Sequence, residues 1–168
     1  VKAAADCHDK TETDYTLSLS DNGTTRVGIT RQFYGANYNA RHRYFSELPP
    51  EERKRYHQEI VSGVAQGARA VGDLTTTFTT YPGVEQFTVE VDNFSVVDGR
   101  YSYFDLPFTP SFFPGGTDTR TLPLYVSQQN ERKVRTEIDL PAGFQQVAIA
   151  PKTESLDAPD GAGKVRIT

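Results

Sequence analysis

Apolar side chains at Tyr15, Leu17 and Leu19 alternate with polar ones, and Val27, Ile29 and Phe33 repeat the alternation after Asp21-Asn22-Gly23. A period of two sends successive side chains to opposite faces of a strand. Asn and Gly accept positive φ at little steric cost, so this stretch predicts a hairpin. The period then changes. Gly35 ends the strand, and Tyr38, Arg41, Phe45 and Leu48 recur at three-and-four spacing. That pattern predicts a short helix over about 36–47. Leu48-Pro49-Pro50-Glu51-Glu52 opens a second helix. Proline suits the first turn, where its missing N–H has no helical partner, and the two carboxylates face the positive end of the dipole. Tyr56, Ile60 and Val64 share one face, and Gly67 is the expected stop, which gives a helix over about 50–66.

Beyond the helices the period of two returns. Leu74 and Phe78 among threonines predict a strand, Tyr81-Pro82-Gly83 a turn, and Phe87, Val89 and Val91 a further strand. Phe94 and Val96, then Asp98-Gly99, then Tyr101 and Tyr103 predict a strand turning into its partner. Three prolines, Gly115-Gly116 and several Phe residues over 105–119 predict an ordered loop. Further alternation at Leu122, Leu124 and Val126, at Val134, Thr136, Ile138 and Leu140, at Val147 and Ile149, and at Val165 and Ile167 predicts four more strands. Hairpin-length turns join most of these segments, so antiparallel pairing is expected. The fold class is α+β, mainly antiparallel, sandwich-like, with one or two helices packed on the sheet. Residues 1–12 read as a disordered lead-in. Residues 13–168 read as one β-rich domain, or two packed lobes divided near 105–120.

Composition narrows the function classes. The 168 residues are 36% apolar and 11% aromatic, which is enough to build a core. The net charge is −4 without a basic block, so nucleic acid is not an expected partner. No apolar run approaches the roughly 20 residues that span a bilayer as a helix. The chain opens on Val1 and contains no Met, which reads as a piece of a longer protein. One cysteine excludes an internal disulfide and a Cys-rich zinc site.

Candidate chemistry is sparse. Cys7-His8-Asp9 holds the residue types of a thiol-protease triad. Neighbours in an extended chain point apart, however, and a working triad converges from distant positions. His42 and His57 lie 15 residues apart on different helices, and carboxylate help from Glu47 or Glu51 would be needed to complete a metal shell. His57 sits among charged residues and is expected to be solvated. Asp92, Asp98 and Asp105 do not follow a calcium-loop spacing and read as turn and strand-edge residues. Gly115-Gly116 lacks the Lys and Ser of a phosphate loop. No catalytic residue, metal ligand or cofactor is therefore assigned. Phe108, Phe112 and Phe113 form either a binding platform for sugar or peptide or a plug over the end of a sandwich. Arg41 and Arg53, with Arg43 and Arg55 among nearby glutamates, form either a salt-bridged face or a docking surface.

Three ordered patterns carry a resemblance. They are Phe33-Tyr34-Gly35 followed by Arg41 and Leu48-Pro49-Pro50-Glu51-Glu52-Arg53; Arg120-Thr121-Leu122-Pro123-Leu124; and Ile138-Asp139-Leu140-Pro141-Ala142-Gly143-Phe144 with Pro151 beyond. The set resembles the C-terminal region of bacterial transglutaminase-like proteins, whose papain-like core lies upstream. The resemblance spans roughly 14–168. It implies a β-sandwich-like, non-catalytic accessory domain of unknown function on an exported, periplasmic or cell-surface protein. Its partner would be the upstream catalytic domain of the same chain. Cys7 lacks the family's nucleophile context and inherits no role. The competing expectations are an independent glycan- or peptide-binding module built on 108–113, and a self-contained hydrolase.

Overall fold

The chain builds its first layer from the hairpin. In the computed structural model, which describes residues 9–106, 131–144, 147–149, 152–157 and 164–167, β1 (Lys10–Leu19) pairs antiparallel with β2 (Thr25–Tyr34). Strand β1 thus starts inside the stretch read as a lead-in. Between the two strands Gly23 adopts φ +83°, and a Cβ there would meet the Ser95 carbonyl oxygen at 2.7 Å. Glycine is required at that corner by conformation and by close approach alike.

Two helices follow β2, and α1 (Gly35–Glu47) and α2 (Pro50–Ser62) match the predicted positions closely at their N-terminal ends. The second helix stops four residues before the expected end. Gly63 caps it by donating its N–H to the Glu59 carbonyl, and Val64 donates to Val61 in a tighter turn. Gly67, at φ +76°, serves the following turn instead. No side chain caps α1 at Tyr34. Its Ala36 N–H is satisfied from 27 residues away by Asp9 Oδ1 at 2.7 Å. Asp9→Ala is therefore expected to lower stability by about 1 kcal/mol, read as a shift of the urea midpoint. An unchanged midpoint would remove Asp9 from the capping role.

Past the helices lie β3 (Arg69–Ala70), β4 (Thr75–Thr77) and β5 (Gly83–Val91). Strand β5 pairs antiparallel with β2 along its inner edge and with β3 and β4 along its outer edge. Next come β6 (Val96–Asp98) and β7 (Tyr101–Tyr103), a separate two-stranded hairpin. Strand β8 (Glu131–Asp139) then returns to lie beside β1. The main sheet runs β3-β5-β2-β1-β8, with β4 beside β3 on β5. The fold is α+β with two helices packed on this sheet. The expectation of antiparallel pairing fails at one joint, because β8 runs parallel to β1. A long return path permits this, since parallel neighbours need a connection of a dozen or more residues.

Register aligns the apolar sets. Leu17 pairs with Val27 and with Ile138, and Val27 pairs with Val89, so one row of aliphatic side chains crosses four strands. Tyr15, Ile29 and Phe87 form the adjacent row, and Val61 and Val64 close over this core from the end of α2. A second cluster of Phe33, Phe45 and Phe78 joins α1 to the sheet. Strand β9 (Glu154–Asp157) pairs antiparallel with β10 (Lys164–Ile167). The strand expected at Val147 and Ile149 is absent: residues 147–149 are irregular, and both apolar side chains are exposed. Two alternating residues without a ladder partner among the described residues do not make a strand. Leu122, Leu124, Val126 and the loop near 107–119 lie outside the described residues. No described helix is long and apolar enough to cross a membrane.

Candidate docking surface

The titratable groups nearest the core serve the fold. Arg31 and Glu85 lie directly opposite each other on β2 and β5, at positions of core parity. Glu85 is 0% exposed. Its Oε1 accepts from Arg31 Nη1 at 2.8 Å, and its Oε2 accepts from the Tyr56 hydroxyl at 2.7 Å. Arg41 Nη1 donates to the same hydroxyl at 3.1 Å. Burial first, and the Glu85 charge next, push the Tyr56 phenol up to about 12, so it stays protonated and keeps donating. Each Glu85 oxygen thus accepts from one donor, and the network ties β2, β5, α1 and α2 together.

The predicted candidate residues fall into place around that network. Arg41 lies over the rings of Phe33 and Tyr56, at 5.3 and 5.9 Å. Arg53 lies over Phe45 at 5.3 Å and donates to Thr76 Oγ1 at 2.8 Å. Both arginines pin helices to the sheet by cation–π contact and hydrogen bonds. Arg43 and Arg55 point outward and pair with Glu47 and Glu52 along their own helices. His42 stacks on Tyr38. His57 departs from the expected solvated state: its ring meets Phe87 edge-on, and Nε2 is buried with no partner among the described residues. Asp92 pairs with Arg69, whose guanidinium holds the carboxyl below its usual range. Among the described residues no group of three or more His, Cys, Asp and Glu side chains is placed to hold a metal ion. Phe108, Phe112, Phe113, Cys7 and His8 lie outside the described residues.

A different feature stands out on the surface. The β6–β7 hairpin presents Val96 at 64% exposure, Tyr103 at 55%, Tyr101 at 46% and Val97 at 44%. Val96 sits opposite Tyr103, and Asp98 opposite Tyr101. Alternation therefore puts Val96, Asp98, Tyr101 and Tyr103 on one face and Val97 on the other, with the two tyrosine rings 6.1 Å apart. Arg100 lies over Tyr101 at 5.7 Å. The base of the hairpin is fixed. Phe94 and Phe104 stack at 6.0 Å against the main core, and the Phe94 and Ser95 N–H groups donate to the Gly23 carbonyl. A base fixed to the core with exposed apolar side chains along its strands and a charged turn at Asp98-Gly99-Arg100 has the form of a contact site, because exposed clusters of large apolar side chains are disfavoured on a lone surface.

Sequence reasoning found this hairpin and assigned the binding role to the loop after it. The missed signal was the pairing of Val96 with Tyr103 and of Tyr101 with a polar residue, on strands too short to bury either side. No protein-family model, curated protein or solved structure matches this chain.

Proposed function

We propose that this chain is a non-catalytic accessory domain that docks on a neighbouring folded unit through the β6–β7 hairpin. The observation that carries the reading is the exposed set Val96, Tyr101 and Tyr103 on one face of a hairpin whose base is locked to the core. Tyr is enriched in the centres of protein contacts because its ring buries apolar area while its hydroxyl stays hydrogen-bonded. The engaged state of Glu85, Tyr56, Arg31 and Arg41 supports a structural domain over an enzyme. The resemblance to transglutaminase-like proteins names the neighbour: the papain-like core upstream in an exported chain, which this domain positions or shields.

Hydrogen exchange tests the reading. Amides of 96–103 are expected to exchange at least about tenfold more slowly in the parent chain than in the 168-residue domain alone. Tyr101→Ser with Tyr103→Ser is expected to abolish that protection and to leave the domain's urea midpoint unchanged. Equal exchange in both chains would overturn the docking role.

A further inference from the structure

On the sheet face turned away from the helices, Gly28 sits mid-strand in β2, with Thr16 opposite it on β1 and Thr88 opposite it on β5. Its φ is not positive. Among the described residues a Cβ added there would meet only Thr16, at an ordinary 3.9 Å. Neither turn geometry nor close packing therefore requires glycine. A strand interior disfavours it, because it adds backbone entropy to the unfolded chain and packs no side chain. The missing side chain does leave a floor without cover. Above it lies a groove of about 300 Å³, walled by Thr16, Thr30, Thr75, Thr88, Gln86 and Asp73.

We propose that this groove binds a neutral saccharide unit. Gln86 Nε2 already donates to Thr30 Oγ1 at 3.3 Å, the four threonine hydroxyls can both donate and accept, as sugar hydroxyls do, and the Asp73 carboxylate can accept from two neighbouring ones. Among the described residues no cation lines the groove, so an anionic ligand would meet the Asp73 charge unshielded. Val71 and the threonine methyl groups offer apolar surface to the C–H face of a sugar ring. The volume lies at the small end for ligand sites, which suits one sugar residue or the end of a short chain. Gly28 then serves access rather than the fold. This site is separate from the β6–β7 hairpin and does not depend on the docking reading.

The inference separates stability from binding. The 168-residue chain is applied to an array of neutral hexose and N-acetylhexosamine oligomers beside uronate-bearing and sulfated ones. The best-retained neutral oligomer is then titrated by calorimetry. Gly28→Ala and Gly28→Thr are expected to raise the urea midpoint, and Gly28→Thr to weaken binding about tenfold or more. Asp73→Asn, on an exposed link, weakens binding and leaves the midpoint in place. Tyr101→Ser with Tyr103→Ser binds as the parent does. Retention of no neutral oligomer would overturn the proposal. So would equal or stronger retention of anionic ones, unchanged binding by Gly28→Thr, or a lowered midpoint for Gly28→Ala.

Discussion

Replacing Arg31 with Met is expected to destabilise the fold by about 3 kcal/mol, because it leaves the Glu85 carboxylate buried without its cation. The low end of the usual range applies, since the Arg31 side chain is 25% exposed and water can reach part of the vacated space. The Tyr56 hydroxyl still donates to Glu85 and moderates the loss. Replacing both charges with apolar residues, as in Arg31→Met with Glu85→Leu, is expected to recover most of the stability. Two single variants and the double one, compared by urea denaturation, close a thermodynamic cycle. If Arg31→Met alone costs less than about 1 kcal/mol, the pair does not hold β2, β5 and α2 together.

Phe45→Ala is expected to cost about 3–5 kcal/mol and to loosen α1 from the sheet. Phe45 is the buried residue of α1. Its ring stacks on Phe78 at 5.3 Å and meets Tyr56 edge-on at 5.4 Å, with the Arg53 guanidinium over it. Truncation removes all of these contacts from a helix that has no acidic residue in its first turn and no basic one in its last. Hydrogen exchange should show α1 amides opening before those of β2 and β5. A variant that loses stability while α1 keeps its relative protection would show that the helix is held elsewhere.

The proposed functions divide along the same physical line. The hairpin and the Gly28 groove are the places where local stability is given up: apolar rings in water at one, an empty position in a sheet at the other. Arg41 and Arg53 show the reverse. The sequence reads them as part of a salt-bridged face or a docking surface, yet each lies over aromatic rings and joins a helix to its neighbour. Only the outward partners, such as Arg43 with Glu47, follow the surface pattern.

Periodicity by itself determined the hairpin of β1 and β2, the positions of both helices, and which side chains of each strand, Leu17, Val27 and Val89 among them, face the core. These depend on neighbours close in sequence and on which side of a strand or helix each residue occupies. Even the buried acid was half legible, because Glu85 shares the parity of Phe87, Val89 and Val91. What the periodicity could not supply was its partner. Arg31 meets Glu85 only through the register of two strands 54 residues apart, and Tyr56 reaches it only once α2 docks. The same holds for the parallel placement of β8 and the Asp9 cap on α1. Each of these depends on long-range contacts, whose energies exceed local preference and leave little trace in nearby residues.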